Sequence, residues 1–107
     1  MLKKQKILNE IKQLLNQHFE NEIKDVLLFG SQASGEANKN SDYDILIVLK
    51  TSHDWKKRNR ISEICYDIDL KYDIVTDIHV ISENELQNSL RGYQPIFQNA
   101  IKNGIYA

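Results

Sequence analysis

The sequence contains few of the residues that cross-link, break or loosen a chain. Among its 107 residues are one cysteine, one proline and four glycines. The single cysteine, Cys65, excludes an intrachain disulfide and a cysteine zinc cluster, and its helical apolar neighbours indicate a core position. The scarcity of proline and glycine argues against long flexible linkers. We therefore expect a single domain over residues 1–107.

An excess of charge of one sign is also lacking. The chain has 14 basic and 15 acidic residues and a formal net charge of −1. A protein that holds nucleic acid through its phosphates usually has a clear basic excess. Tight binding to a long nucleic acid is therefore not expected. We interpret the local basic clusters at residues 3–6 and 56–58 as solvated helix faces.

Long apolar runs are missing as well. No run approaches the roughly 20 residues of a membrane-spanning helix, and the first ten residues, MLKKQKILNE, lack the apolar segment of a signal peptide. The sequence therefore predicts no membrane association and a cytoplasmic location. Its composition, 41% hydrophobic and 27% charged, is that of an ordinary globular domain.

The apolar residues that are present follow helical and strand-like patterns. Helical spacing predicts helices over about 3–19 and 54–71 and a last helix from Pro95 to Gly104. Short apolar runs predict strands at 26–29, 43–49 and 74–81. Between the first two strands a short helix can begin at Ser31, and Ser82 with Glu85 predicts a capping box that starts a helix near 83.

This order of elements predicts an α/β (α+β) fold, in which helices flank a small mixed sheet. A helix separates the second and third strands, so we expect these strands to be parallel and joined by a right-handed crossover. The C-terminal segment GIYA resembles an apolar tail that docks on the domain or on a partner.

Two aspartates, Asp42 and Asp44, stand at the start of the predicted second strand. Side chains alternate across a strand, so both carboxylates are expected on one face. Two like charges about 4 Å apart repel by roughly 4 kcal/mol at an intermediate dielectric, and a divalent cation reverses that sign. Mg²⁺ commonly binds one or two carboxylates together with substrate phosphates. Exposed acids at a strand end would show the same pattern, so the surroundings decide between the two interpretations.

Those surroundings include Gly30-Ser31, directly after the first predicted strand and twelve residues before Asp42. A glycine at such a turn lets a phosphate approach the backbone closely. The N–H groups at the start of a following helix and the Ser31 hydroxyl can donate to that phosphate. Gly-Ser alone is a weak signal. A strand, Gly-Ser, about ten loop residues and then Asp-x-Asp opening a second strand is much more specific.

The segment FGSQASGEANKNSDYDILIVL, residues 29–49, resembles the motif of the DNA polymerase β-like nucleotidyltransferase superfamily. It is most similar to the minimal bacterial nucleotidyltransferases that accompany HEPN-domain toxins. The resemblance covers about residues 26–82 well and the helices outside them more loosely. The motif is specific for the superfamily and less so for the substrate.

The resemblance implies the polymerase β-like nucleotidyltransferase fold and a site that binds a nucleoside triphosphate and two Mg²⁺ ions. Asp42 and Asp44 would be catalytic metal ligands, and a third carboxylate would come from a later strand. Asp77 in the segment TDIHVIS matches that position best, and Asp73 is the second candidate. The residues expected to contact the triphosphate are Gly30, Ser31, Gln32 and Ser41.

One residue departs from the pattern of this superfamily. Related sequences often carry an arginine after Gly-Ser, where this chain has Gln32. Glutamine can donate a hydrogen bond but brings no charge, which puts the strength of triphosphate binding in doubt, and Lys39 in the same loop could compensate. His79 lies two residues after Asp77 on the same strand face and could be near the site, but we favour a partly buried sheet histidine. We interpret Trp55 as a packing residue rather than a platform for a base.

The resemblance further implies an enzyme that transfers AMP from ATP to a hydroxyl of a HEPN toxin, and therefore an antitoxin. An alternative is a nucleotide-binding module that has lost turnover and neutralises its partner by forming a complex. Transfer to a small molecule such as an aminoglycoside is the least favoured of the three, because the chain offers no separate acceptor domain.

Overall fold

The computed structural model describes residues 3–35 and 42–107. Helices and strands follow one another along these residues in the order α1 Lys3–His18, β1 Ile23–Phe29, α2 Ser31–Ser34, β2 Tyr43–Leu49, α3 Trp55–Tyr72, β3 Thr76–Ser82, α4 Glu83–Asn88, α5 Pro95–Asn103 and β4 Ile105–Tyr106.

The strands form one mixed sheet in the order β3-β2-β1-β4. Strands β2 and β3 are parallel, whereas β1 is antiparallel to both β2 and β4. The predicted α/β class, the mixed sheet and the parallel pairing are therefore confirmed. Strand β4 was predicted only as a docking tail, and in the structure Ile105 and Tyr106 pair with Leu28 and Leu27 of β1.

The two faces of the sheet are covered by different helices. Because side chains alternate along a strand, the even and odd positions of β2 belong to different cores. One core lies under α1 and α3 and contains Cys65, as predicted. The other core lies under α5 and consists of Leu27, Phe29, Leu46, Val48, Ile81, Phe97 and Ala100, with Leu86 and Ile101 packed against it.

The alternation also determines the face on which the candidate site lies. Asp44 shares a face with Leu46, and Asp77 shares a face with His79 and Ile81, so both aspartates belong to the side covered by α5. They stand near the beginnings of their strands. The covered part of this face therefore ends in a polar region at the start of β2 and β3.

Several helix ends follow the predicted local chemistry. Asp54 caps α3 by accepting a hydrogen bond from the backbone N–H of Lys57. Proline occupies the first turn of α5, which ends before Gly104 as expected. Strand β3 begins at Thr76 rather than Ile74, because α3 ends at Asp73 in a left-handed conformation and the chain needs further residues to enter the sheet.

None of the helices formed by the described residues combines the length and the apolar character that crossing a membrane requires.

The capping box at the start of α4 gives a prediction on stability. The Ser82 hydroxyl accepts a hydrogen bond from the backbone N–H of Glu85, and the Glu85 carboxylate accepts one from the backbone N–H of Ser82. We expect Ser82→Ala to lower the free energy of unfolding by about 1 kcal/mol, measured by urea denaturation. Ser62→Ala, on the exposed side of α3, is the control and should cause no loss. Equal stability of both variants would contradict the prediction.

Candidate active site

The register of the parallel strands places Asp44 opposite Asp77. Neighbouring strands lie about 4.8 Å apart, so two carboxylates share one small area of the sheet face. Burial raises the pKa of Asp44, and the nearby negative charges of Asp77 and Asp42 raise it further, while His79 lowers it. Ionised Asp44 is thus held in an environment that favours its neutral form.

His79 joins the two aspartates. One ligand atom from each of Asp44, Asp77 and His79 lies within 4.8 Å of the other two, and Nε2 of His79 is 3.3 Å from Oδ2 of Asp77. The imidazole packs edge-on against the ring of Phe29, with centroids 5.3 Å apart. The side chain is 25% exposed, so the prediction of a partly buried sheet histidine is confirmed, and the ring also lies beside the carboxylate pair. The Asp-x-His spacing on one strand carried that information.

Gly30 brings the backbone against this cluster. It has φ 73° and ψ −155°, in the region that favours glycine. A Cβ atom at this position would overlap Oδ2 of Asp44. The turn after β1 and the carboxylate on β2 are therefore in direct contact. The glycine of Gly-Ser and the second aspartate of Asp-x-Asp, which are distant in the sequence motif, meet at this point.

The short helix α2 begins at Ser31, as predicted. A lysine from α1, which the sequence did not indicate as a site residue, contacts this helix. Gln32 is 6% exposed, so its side chain lies within the protein rather than on an open surface. Lys4 of α1 donates through Nζ to the backbone carbonyl of Gln32. A positive charge from another helix thus lies beside the position where related sequences often have arginine, whereas Lys39 lies outside the described residues.

The remaining predicted site residues lie around the cluster or outside the described chain. Asp42 is exposed just before β2 and is not among the three grouped residues, although its charge acts on Asp44. Asp73 is the exposed residue that ends α3, three positions before β3 begins, and so does not alternate with Asp77. Ser41 lies outside the described residues. Trp55, expected to pack, is instead 62% exposed, which makes that prediction wrong.

A cleft of about 570 Å³ opens beside Gly30, between α2 and α5. Its floor and walls combine aromatic, aliphatic and amide side chains with the glycine backbone. The residues that line it are Phe29, Gly30, Ala33, Ser34, Ile96, Asn99, Ala100, Asn103 and Gly104. Gly30 lines the cleft and also contacts Asp44, so the cleft and the carboxylate cluster adjoin at this glycine.

The donor set fits a divalent cation. Two carboxylates and an imidazole converge, and within residues 3–35 and 42–107 no lysine or arginine forms an ion pair with Asp44 or Asp77. The raised pKa of Asp44 shows that its negative charge is poorly compensated. A cation bound among these donors would supply the missing compensation, since opposite charge at short range favours the ionised carboxylate.

Comparison with known proteins assigns this arrangement to a family. Residues 5–104 match the nucleotidyltransferase domain family. The chain belongs to this family and is a nucleotidyltransferase.

Two relatives from Methanocaldococcus jannaschii carry the provisional name protein adenylyltransferase. MJ0604 is 33% identical over 82 residues, which cover 77% of this chain and 77% of that protein. MJ0141 is 35% identical over 69 residues, which cover 64% of this chain and 70% of that protein.

Solved structures share the fold. A toxin–antitoxin crystal structure with AMP-PNP superposes with a TM-score of 0.61 at 21% identity, covering 92% of this chain and 69% of that chain. The complex of tri-AMPylated Shewanella oneidensis HEPN toxin with MNT antitoxin gives a TM-score of 0.56 at 19% identity, covering 96% and 70%. The MntA–HepT toxin–antitoxin structure gives 0.56 at 20% identity, covering 95% and 69%. Together these matches confirm the nucleotidyltransferase fold.

The contact between Gly30 and Asp44 gives a prediction with a matched control. Gly30→Ala should displace the Asp44 carboxylate and lower nucleotidyl transfer by about 100-fold, the order expected for a displacement of about 1 Å at a reacting centre. Gly35→Ala is the control, because Gly35 also has a positive φ but a Cβ there would meet nothing within 4 Å. Similar transfer rates in the two variants, at equal folded fraction, would show that the contact with Asp44 is unimportant.

Proposed function

We propose that this protein transfers AMP from ATP to a hydroxyl of a HEPN toxin in a Mg²⁺-dependent reaction, and acts as the antitoxin of that pair. The observation that carries the proposal is the Asp44–Asp77 pair in register on β2 and β3, in contact with the Gly30 turn. The relatives named as protein adenylyltransferases and the AMPylated complex among the structural neighbours support the choice of AMP and of a protein acceptor.

The residues that would hold Mg²⁺ are Asp42, Asp44 and Asp77. When bound, Mg²⁺ would polarise the acceptor hydroxyl and neutralise the charge of the triphosphate and of the departing pyrophosphate. Asp44 and Asp77 belong to the grouped donors, and Asp42, which is exposed just before β2, would join them as a further ligand.

The protein groups would align the reactants. The acceptor oxygen attacks the α-phosphorus, a new P–O bond forms, and the bond from that phosphorus to the pyrophosphate oxygen breaks. The hydroxyl proton passes to a carboxylate of the cluster, which acts as the general base. Reactions of this type depend mainly on alignment and charge neutralisation.

The cleft between α2 and α5 is where we expect ATP to make its other contacts. Gly30 and Ser31 would face the phosphates at the side of the cleft nearest Asp44, and we expect Gln32 and Ser41 to supply further contacts to them. Between α2 and α5 the cleft offers an apolar wall at Ile96 and amides at Asn99 and Asn103. This combination of apolar surface and a few polar groups is typical of nucleoside-sized sites.

A second candidate function is neutralisation of the partner by complex formation, with nucleotide bound but not turned over. Gln32 motivates it, because this residue brings no charge to the phosphates and is buried. Lys4, which donates to the backbone carbonyl of Gln32, favours the enzyme over this alternative because it returns a positive charge to α2.

The experiment combines the protein with Mg²⁺, ATP labelled at its α-phosphate and the product of the neighbouring gene. We expect label on the partner, reduced by at least about 100-fold in Asp44→Asn and in Asp77→Asn, because loss of a ligand should exceed the 10–100-fold typical of its outer-shell partners. Asp67→Asn, on the exposed side of α3, is the control.

Two outcomes would decide against the enzyme. If label never appears on the partner while the protein still binds ATP and protects against the toxin, complex formation is the function. If Asp44→Asn and Asp77→Asn protect cells as well as the parent does, transfer has no part in neutralisation.

A further inference from the structure

We propose that Nε2 of His79 is a direct ligand of the metal ion held by Asp44 and Asp77, so that the site formed by these three residues prefers first-row transition-metal ions to Mg²⁺. The inference rests on the metal site of the proposed function and adds to it a nitrogen donor and a metal preference.

The distance between the two donors on β3 supports shared coordination. Nε2 of His79 lies 3.3 Å from Oδ2 of Asp77. Two donors that each bind one ion at about 2.1 Å lie roughly 3.0 Å apart at octahedral angles and about 3.4 Å apart at tetrahedral angles. A charge-assisted hydrogen bond is shorter, about 2.7–2.9 Å. The observed separation therefore suits two ligands of one ion better than a pair bonded to each other.

The third donor is within reach of the same ion. Ligand atoms of Asp44, Asp77 and His79 all lie within 4.8 Å of one another. Asp44 and Asp77 face each other across β2 and β3, and His79 lies two residues further along β3, opposite Leu46. The imidazole thus approaches the carboxylates from the covered side, whereas Asp42 lies on the exposed side.

The ring is held in place for this role. Its edge-on contact with Phe29 restricts rotation of the imidazole, and three-quarters of the side chain is shielded from solvent. Phe29 is also the last residue of β1 before Gly30, so the element that contacts Asp44 also supports His79. A ligand fixed before the metal arrives loses little freedom on binding.

The donor chemistry then favours certain ions. Mg²⁺ takes oxygen ligands and keeps several waters, so an imidazole adds little to its affinity. Transition-metal ions accept imidazole nitrogen, and their affinities rise from Mn²⁺ towards Cu²⁺. Removal of the nitrogen should therefore weaken Mn²⁺ and Co²⁺ binding more than Mg²⁺ binding.

The test uses the whole protein with Mn²⁺ alone and detects nitrogen coordination by pulsed electron paramagnetic resonance. We expect a nitrogen coupling to bound Mn²⁺ in the parent protein, which changes when histidine is labelled with ¹⁵N. The coupling should disappear in His79→Phe, a variant that keeps an aromatic ring against Phe29. It should persist in His18→Phe, the control at the end of α1.

Metal affinity provides the second measurement. His79→Phe should weaken Mn²⁺ binding by about tenfold or more, in line with the effect of altering the surroundings of a metal ligand, and should change Mg²⁺ binding less. Absence of Mn²⁺ binding, bound Mn²⁺ without nitrogen coupling in the parent, or coupling that survives in folded His79→Phe would each overturn the inference. The labelled parent protein decides the matter even if His79→Phe does not fold.

The test of His79 as a metal ligand can fail or succeed independently of the test of AMP transfer. Transfer in Mg²⁺ that depends on Asp44 and Asp77, with no nitrogen coupling in Mn²⁺, would reject His79 as a ligand and leave the proposed function in place. Nitrogen coupling without any AMP transfer would support His79 as a ligand and reject the function.

Discussion

The parallel register that places Asp44 opposite Asp77 is the constraint on which the rest of the site depends. Hydrophobic alternation along β2 and β3 enforces it, because a shift by one residue would move Leu46, Val48 and Ile81 out of the core under α5. Burial of apolar side chains thus holds together two negative charges that repel each other. A cation turns this unfavourable pair into a binding site.

The neighbouring features follow from that pair. Gly30 must lack a side chain because Asp44 occupies the space that a Cβ would need. His79 belongs to the cluster because it lies two residues after Asp77 on the same face, and Phe29 restrains its ring. The cleft between α2 and α5 opens next to Gly30. Nucleotide, cation and acceptor are therefore expected to meet where β1 ends and β2 begins.

The predictable features were those with strong local patterns. The apolar run of β2, the capping box at Ser82 and the Gly-Ser to Asp-x-Asp spacing predicted the fold and the position of Asp44 near the start of β2. Strand β4 was missed because two residues are too few to show alternation. Lys4 and Gln32 are 28 residues apart in the sequence and meet only in the folded structure. The spacing of Asp77 and His79 showed that both lie on one strand face, but the approach of Asp44 to His79 depends on the pairing of β2 with β3.

The free energy of unfolding of Asp44→Asn relative to the parent, with chelator and then with Mg²⁺ or Mn²⁺, tests the central claim most directly. Burial and Asp77 raise the pKa of Asp44, so its ionisation destabilises the folded state once the pH exceeds the unfolded-state pKa. At neutral pH with chelator, Asp44→Asn should be more stable than the parent, and metal should stabilise only the parent. Equal stabilities with chelator and no effect of metal on the parent would contradict the claim that the sheet holds a strained carboxylate pair for a cation.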